Sequence, residues 1–465
     1  MRLSAQVILL GLTATACSLS AALQPYPAPA GLDGSPHYRV EVAQEEHTAN
    51  VFVYHSPAQW RTNASLDVAW APFAFTGRVT VRVTKLDGDF ARARVLPSSR
   101  AIKPTIAGRT ATFALDRPGQ FAVEFDESIA HPLLVFADPP ETEIPARDDP
   151  NVIWFGPGVH DLGEKFIAPR AGQTVYLAPG AFVRGRLKAD HAPGARLIGR
   201  GVLSGQHLPP NPPGTYTVPH LVDFAGASDR VRVEGVTLVD SPHYFLLARG
   251  ADCVVRNVKL LGWYYGTDGI GTGPRGLVED CFLKCNDDAL KLYRDGMTVR
   301  RCTIWQMENG AAFQLSWNLN SDASGIRVSD CDVIRVEHRG EANNRGIFCS
   351  IHGGRGHLHD FVFEDIRIEN ATWRLALFTT RKTAWSRSET FGDITDITLR
   401  NVSIDGPLAR PSVIRSYEAT GRFARFTFEN LRIGGELVDS AAAGNFLIDP
   451  ATVSDTRFIL SAPTR

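Results

Sequence analysis

The chain has 465 residues, which is too long for one ordinary compact core and therefore predicts two domains or an elongated repeat. Its 49 Lys and Arg nearly balance its 50 Asp and Glu, so charge gives no reason to expect a nucleic acid or an acidic membrane as partner. With 41 Gly, 29 Pro and 25 Phe beside three Met, the composition favours strands and turns over helices.

The first residues have the pattern of a secretory signal peptide. The segment M-R-L-S-A-Q-V-I-L-L-G-L-T-A-T-A-C contains one basic residue, an apolar run too short to span a bilayer, and small residues at its end. We assign residues 1–22 to the signal, although the small residues before Cys17 also fit a lipoprotein box with a lipid anchor on Cys17. We expect a secreted or periplasmic protein or an anchored lipoprotein, without a transmembrane segment.

Residues 23–36 are rich in Pro and predict a linker. Residues 37–143 contain alternating segments such as Y-R-V-E-V, R-V-T-V-R-V and Q-F-A-V-E-F, separated by turn signals. This pattern is typical of a small antiparallel β-sandwich. The sandwich could bind carbohydrate, form a wall of a cleft, or shield the end of the next domain.

An internal repeat dominates residues 144–465. Eight copies share the form apolar, any, apolar, any, turn or polar, apolar, any, apolar, and examples are V-R-V-E-G-V-T-L, C-V-V-R-N-V-K-L and I-T-L-R-N-V-S-I. Consecutive copies begin between 21 and 36 residues apart. Because one copy cannot bury its apolar residues alone, the repeat predicts an all-β chain with a right-handed parallel β-helix whose coils stack about 4.8 Å apart. Longer separations indicate loops that build a binding face.

The six cysteines after Cys17 lie within the repeat region, and three of them occupy equivalent repeat positions. Stacked, buried thiols explain this better than disulfides do. The sequence contains no C-x-x-C pair, so we predict neither a structural zinc site nor a cofactor.

The stretch W-Y-Y-G-T-D-G-I-G-T-G, followed by C-N-D-D-A-L-K-L-Y, places three carboxylates in apolar surroundings: Asp268, Asp287 and Asp288. An apolar segment tolerates three carboxylates only if they are paired, bound to metal or catalytic. Counting seven residues beyond the sixth position of each copy gives a polar column across five coils: His243, Tyr265, Asp288, Asn309 and His338. We expect the aspartates to lie on neighbouring coils at one side of the solenoid.

Three clustered carboxylates suit glycoside hydrolysis, in which one carboxyl must be a protonated acid and another an ionised base. The alternative is that the Asn-Asp-Asp turn only caps a strand end. Adjacent residues of a strand point to opposite faces, so Asp287 and Asp288 can share a site only if the chain bends there. We therefore predict a corner or bulge at residues 286–288.

Around the aspartates we predict a set of substrate-binding residues, which includes aromatic side chains that could stack on sugars: His243, Tyr265, Lys291, Tyr293, Asn309, Gln314, Trp317, His338 and Arg345. The histidines are expected to form hydrogen bonds rather than bind metal. A calcium site on the three aspartates stays open as a lyase-like alternative, with Arg345 or Lys291 abstracting the proton of an acidic sugar.

The motifs G-T-D-G-I and N-D-D-A-L-K-L-Y, with a β-sandwich ahead of a β-helix, resemble glycoside hydrolase family 49, the dextranases and isopullulanases. They also look related to the family 28 polygalacturonases. The resemblance to family 49 implies metal-free, inverting hydrolysis with Asp287 as general acid and with Asp268 and Asp288 holding the water. Gly266 and Asn344-Arg345-Gly346 depart from the polygalacturonase pattern, which disfavours pectin.

We therefore expect a monomeric, exported glycosidase that acts on an α-linked polysaccharide such as dextran or pullulan. The alternatives are a polygalacturonase-like hydrolase, a lyase for an acidic glycan, and a non-catalytic carbohydrate-binding protein. Inversion predicts acid and base carboxyls about 6.5 to 9.5 Å apart, whereas a separation near 5 Å argues against it.

Overall fold

A computed structural model describes residues 22–59, 64–210, 218–340 and 345–461. The predicted signal peptide, except its last residue, and Cys17 lie outside these ranges. Within them, the helical content is one short 3-10 turn at Ser98–Arg100. No described helix has the length and apolar character needed to cross a membrane.

Two sheets form the predicted sandwich around a shared apolar core. The prediction that it is antiparallel is wrong for one pair, because Asp67–Phe75 and Ser128–Asp138 pair in parallel. The first sheet contains the strands Leu23–Pro25, Tyr54–Pro57, Asp67–Phe75, Ala93–Leu96, Gly119–Phe125 and Ser128–Asp138. The second contains the strands Tyr38–Gln44, His47–Val51, Val79–Lys85, Thr105–Ala107 and Thr110–Leu115. Burial alternates along three strands of the second sheet, Tyr38–Gln44, Val79–Lys85 and Thr110–Leu115, as the sequence pattern predicts for a sheet with one face on the core.

The prediction of a linker at residues 23–36 is wrong at its beginning. Leu23–Pro25 is an edge strand that pairs antiparallel with Asp67–Phe75, and Tyr26 is buried. Pro25 is tolerated there because an edge strand can lack one backbone donor. Because this segment is rich in proline, its composition predicted a linker where the structure has a strand of the sandwich.

From Val152 onward the chain winds into coils whose strands form three faces. The first face contains Val152–Phe155, Thr174–Leu177, Arg196–Gly199, Arg232–Glu234, Val254–Arg256, Leu277–Glu279, Thr298–Arg300, Ala323–Val336, Leu358–Ile368, Ile394–Arg400, Phe423–Glu429 and Val453–Ile459. The second contains Gly158–Asp161, Ala181–Arg184, Val202–Ser204, Thr237–Val239, Lys259–Leu261, Phe282–Cys285, Thr303–Gln306, Ser403–Ile404, Arg432–Ile433 and Glu436–Leu437. The third contains Leu187–Asp190, Val222–Ala225, Leu246–Ala248, Ile270–Thr272, Leu290–Lys291, Phe313–Ser316, Phe348–His352, Ala376–Thr380, Ser412–Ser416 and Phe446–Ile448.

Strands of successive coils pair in parallel and keep the repeat in register. Val233 pairs with Val255, Val255 with Val278, and Val278 with Val299, and all four side chains are buried. The predicted all-β, right-handed parallel β-helix preceded by a β-sandwich is confirmed. All six described cysteines are buried and free, which agrees with their predicted apolar role.

The fifth position of the repeat makes the corner between the first two faces. In all eight copies this residue has a positive φ between 51° and 82°: Gly235, Asn257, Asp280, Arg301, Asp330, Asp365, Asn401 and Asn430. Gly, Asn and Asp tolerate this left-handed conformation best, which explains the turn-or-polar signal in the sequence. The backbone N–H of Asn257 donates to the carbonyl of Glu279 on the next coil at 3.0 Å, so the ladder continues around the corner.

The sandwich packs along the side of the coils rather than at the end of the solenoid. Trp70 and Phe136 share an apolar cluster with Trp263, Phe282 and Trp305 of the β-helix. Polar contacts reach several coils: Ser56 with Asp240, Gln120 with Asn257, Asp138 with Lys259, Glu124 with Arg335, and Arg94 with Asn370. The end-shielding role considered for this domain therefore does not describe its position.

Candidate active site

The chain bends at residues 286–288, as predicted. The strand Phe282–Cys285 ends there, and the next strand begins at Leu290. Buried Asn286 fixes the bend because its Nδ2 donates to the Trp263 carbonyl at 2.6 Å and its Oδ1 accepts from the Asn309 N–H at 3.0 Å. Asp287 and Asp288 can therefore turn to one site although they are adjacent.

The bend brings the two aspartates against Asp268 of the preceding coil. The Gly269 N–H donates to the Asp288 carbonyl at 2.9 Å, which sets Asp268 and Asp288 side by side. One carboxylate oxygen from each of the three aspartates lies within 4.8 Å of the others. Asp268 and Asp288 are buried, and Asp287 is partly exposed.

Lys291 supplies the positive charge of this cluster. Its Nζ forms an ion pair with Asp268 Oδ1 and lies 3.1 Å from Asp288 Oδ2. The ammonium also lies 4.8 Å from the ring centre of Tyr244 and 5.2 Å from that of Tyr293. Because the lysine contacts two of the three carboxylates, it takes the position that a bridging cation would need.

Asp287 has a different environment, made of neutral donors. Its Oδ2 accepts from Asn309 Nδ2 at 2.8 Å, and its Oδ1 accepts from the Asp288 N–H at 2.9 Å. Burial, together with the charge of Asp288, raises the pKa of Asp287 to about 7. Asp287 is thus suited to hold a proton near neutral pH.

Burial also raises the pKa of Asp268, while Lys291 acts in the opposite direction. The pKa of Lys291 is raised well above its ordinary value because the charges of Asp268 and other neighbours outweigh its burial. We assign the negative charge to Asp268, since the direct ion pair stabilises the charged forms of both partners. The cluster then contains Asp287, which is suited to hold a proton, and Asp268, whose carboxylate is paired with a lysine.

These side chains line a cleft of about 580 Å³. Its walls are Tyr244, Gly266, Asp268, Asp287, Asp288, Lys291, Tyr293, Asn309, Trp317, Asn318, Trp385 and Arg387. Two polar atoms of the wall, Asp288 Oδ1 and Tyr293 Oη, are buried and have no hydrogen-bond partner among the described residues. Such atoms could bind sugar hydroxyls.

Four of the predicted substrate-binding residues therefore line the cleft with the aspartates: Lys291, Tyr293, Asn309 and Trp317. The other five are not among its lining residues. Tyr265 is exposed, and it and Arg345 both interact with Glu308.

The remaining three predicted residues, His243, Gln314 and His338, are buried. The ring centres of His243 and Tyr244 lie 4.4 Å apart. Gln314 donates to the Ser316 carbonyl at 2.9 Å, and His338 Nε2 lies 2.9 Å from the Gly310 carbonyl oxygen. The pKa of His338 is lowered to about 3 by burial, so this ring is neutral at physiological pH.

The predicted polar column does not hold as a single line of neighbours. Ile270 pairs with Leu290 and Lys259 with Phe282, which are shifts of 20 and 23 residues. The corner between the second and third faces is thus three residues longer in the earlier coil. Asp288 consequently lies beside Asp268 instead of beside Tyr265.

Five residues of the cleft wall were not among the predicted site residues: Tyr244, Gly266, Asn318, Trp385 and Arg387. Trp385 and Arg387 lie in a segment inserted between two repeat copies, where loops were expected to build the binding face. The repeat pattern does not extend into this segment, so the sequence did not identify these two residues as site residues. Tyr244 directly follows the predicted residue His243, but it lies one position beyond the repeat offset that identified His243.

The predicted separation of about 6.5 to 9.5 Å between the acid and base carboxyl groups stays a prediction. One oxygen from each of the three aspartates lies within 4.8 Å of the others, and this distance joins single oxygens rather than carboxyl centres. Two oxygens this close can still hold one water, because two hydrogen bonds of about 2.8 Å span about 4.6 Å at a tetrahedral angle. Closest-atom distances therefore describe a water site here, and they do not fix the stereochemistry.

Fold and site together define a parallel β-helix protein with a carboxylate-lined cleft and a flanking β-sandwich. No protein-family profile matches the chain. It is 29% identical over 207 residues to a dextranase of Arthrobacter sp. (strain CB-8), and this match covers 39% of the chain and 32% of the dextranase. The chain thus matches about a third of the length of that relative.

Two further comparisons extend over more of the chain. It is 24% identical over 400 residues to the isopullulanase of Aspergillus niger, covering 72% of this chain and 71% of that protein. The structure superposes on Dex49A from Penicillium minioluteum with a TM-score of 0.74 at 18% identity, covering 94% and 96% of the two chains. The resemblance to glycoside hydrolase family 49 is confirmed.

Proposed function

We propose that the chain is an exported glycoside hydrolase that cleaves an α-linked glucan of the dextran or pullulan type. The observation that carries the proposal is the cluster of Asp268, Asp287 and Asp288 with Lys291 at the floor of an open cleft. The names of the relatives, dextranase and isopullulanase, support the substrate class. Export rests on the signal pattern of the first residues.

In this mechanism Asp287 protonates the glycosidic oxygen as the bond to the anomeric carbon breaks. Its raised pKa keeps the proton available near neutral pH, and the Asn309 amide orients its carboxyl group. Asp268 and Asp288 hold the attacking water between their oxygens and accept its proton. Lys291 keeps these two carboxylates in place and limits their mutual repulsion.

We propose inversion at the anomeric carbon because the water, rather than a carboxylate, would be the nucleophile. Proton NMR of the first products tests this directly. An α-glucan should release the β-anomer first, before mutarotation. Initial appearance of the α-anomer would show retention and would assign one aspartate as a covalent nucleophile.

Tryptophan side chains give the cleft the surfaces that neutral sugars require. Trp317 and Trp385 line it beside the aspartates, and aromatic faces can stack on the apolar side of a pyranose ring. We propose that they form the glucan-binding walls on this face of the solenoid.

The activity test is a panel of dextran, pullulan and polygalacturonate with the release of reducing ends as readout. We expect activity on an α-glucan that is resistant to chelators and is lost in Asp287→Asn. Asp89→Asn is a matched control, because Asp89 is highly exposed in the sandwich and distant in sequence from the cleft. Full activity in Asp287→Asn, or binding of glucan without any product, would contradict the proposal.

Arg387 in the cleft wall favours an acidic glycan as a second candidate substrate. A lyase reaction on such a glycan is less well supported. The pKa of Lys291 is raised, which makes it a poor base, and Arg345 is paired with Glu308 at 3.3 Å. Cleavage of polygalacturonate with unsaturated products would establish the lyase alternative instead.

A further inference from the structure

A second cluster of metal-ligating side chains lies in the β-sandwich. Asp67 Oδ2 lies 2.7 Å from His131 Nδ1, 3.0 Å from His37 Nε2 and 3.3 Å from His55 Nε2. The ligand atoms of His37, Asp67 and His131 all lie within 4.8 Å of one another. We propose that this cluster is a binding site for a divalent transition-metal ion, with zinc as its preferred occupant.

The fold positions these residues from separate strands. His55 and His131 lie on strands that flank Asp67–Phe75 on its two sides. His37 directly precedes the strand Tyr38–Gln44 of the opposite sheet. Four side chains from both sheets thus converge at one edge of the sandwich, around the buried carboxylate of Asp67.

The hydrogen bonding of His37 indicates that a cation belongs in the cluster. Its Nδ1 lies 2.6 Å from Asp87 Oδ2, and that carboxylate is held by Lys85 at 2.7 Å. Nδ1–H therefore donates to Asp87, which leaves the Nε2 lone pair directed at Asp67 Oδ2. Two acceptors 3.0 Å apart require a proton or a metal ion between them, and a histidine fixed by a carboxylate is the usual support of a metal ligand.

Protonation alone is the weaker explanation. Protonation of His37 would satisfy only its own contact with Asp67, and it would leave His55 Nε2 buried without a hydrogen-bond partner among the described residues. Asp67 has one oxygen facing three imidazoles, while its other oxygen is buried without a partner among the described residues. A single metal ion would satisfy the nitrogen lone pairs and the carboxylate together.

The donor atoms of this cluster favour zinc among the divalent metals. Imidazole nitrogen and carboxylate oxygen are common zinc ligands, and bonds of about 2.0 to 2.1 Å place tetrahedral ligand atoms about 3.3 Å apart. The contacts of Asp67 with His37 at 3.0 Å and with His55 at 3.3 Å are within a few tenths of an ångström of that spacing, and the contact with His131 at 2.7 Å is about 0.6 Å shorter. His55 or a water would supply the fourth ligand. Copper and nickel accept the same donors, so they are competitors in the test.

The experiment uses the full-length protein after removal of metals with a chelator. Zinc chloride is titrated in competition with a chromophoric zinc chelator, and bound metal is counted by mass spectrometry. We expect one tightly bound zinc ion per chain and a rise in the thermal unfolding midpoint on zinc addition. Cobalt binding should produce the visible absorption of a low-symmetry, tetrahedral site.

Variants locate the bound ion. His131→Ala should abolish stoichiometric binding, and Asp87→Asn, which removes only the support of His37, should weaken zinc binding about 10- to 100-fold. His47→Ala, an exposed histidine of the same domain, should bind zinc like the wild type. Asp287→Asn should also bind like the wild type, which separates this site from the three aspartates of the cleft.

Three outcomes would overturn the proposal. These are the absence of stoichiometric zinc binding, binding that survives both His131→Ala and Asp87→Asn, and tighter stoichiometric binding of another metal with no response to zinc. Because Asp87→Asn leaves every proposed ligand intact, its result remains informative if His131→Ala fails to fold. None of these outcomes depends on the glycosidase activity.

Discussion

Replacing Asp287 with Asn tests the assignment of the general acid. The change removes the titrating proton and keeps the shape of the side chain. The introduced amide could still accept from the Asp288 N–H, now at 2.9 Å from Asp287 Oδ1, while its NH₂ group would meet the Asn309 amide that now donates to Oδ2 at 2.8 Å. We therefore expect the loss of about one hydrogen bond, or about 1 kcal/mol, partly offset by the relief of repulsion from Asp288.

The catalytic effect should be much larger than this change in stability. General acid catalysis contributes about 10²- to 10⁴-fold, which corresponds to about 3 to 5 kcal/mol of transition-state stabilisation. We expect kcat on a glucan to fall by that factor while the unfolding midpoint barely moves. The loss should be smaller on an aryl glycoside with a good leaving group, because its departure needs less protonation.

The assays are initial rates on polymer and aryl substrate, with thermal unfolding as the measure of folding. An equal loss on both substrates would refute the role of Asp287 as acid and would indicate a general disturbance of the site. A loss below tenfold on the polymer would also refute it.

Three further predictions concern the same site. The kcat/KM of the wild type should fall as pH rises through about 7, because the active acid is the protonated form of Asp287 and its pKa is about 7; a flat profile from pH 6 to 9 would contradict this. Lys291→Met should cost about 3 to 5 kcal/mol in the free energy of unfolding, measured with denaturant, because it leaves Asp288 and its neighbours without their buried cation; an unchanged stability would contradict the assigned charges. Gly310→Ala should lower activity more than tenfold, since a Cβ would lie 2.2 Å from the Asp287 carbonyl carbon; Gly172→Ala, also at positive φ but with open space around it, is the control and should stay active.

Most of the β-helix could be predicted because its physical constraints recur in every coil. The apolar positions pair in register, and the fifth position bends with positive φ in each copy, so both signals repeat along the chain. The edge strand Leu23–Pro25 could not be predicted because it has neither alternation nor length, and only its partner strand defines it.

The site was predictable where the chemistry was local. Burying adjacent carboxylates required a bend, and the structure has it at Asn286. The residues that other coils contribute to the site were harder to predict, because the corners differ in length from coil to coil. A fixed offset from the repeat therefore does not identify the residue beside Asp288. The sandwich cluster of His37, Asp67 and His131 had no sequence signal, since its members are brought together only by the pairing of two sheets.

The lateral attachment of the sandwich has a consequence for how the molecule unfolds. A solenoid in which each coil touches only its neighbours can fray coil by coil, as a nearly one-dimensional system. Here a second domain is bonded to coils as far apart as those of Asp240 and Asn370. Opening one coil would also disturb its contacts with the sandwich, and through it the distant coils. The sandwich should therefore convert a sequence of small, independent transitions into one cooperative transition of both domains.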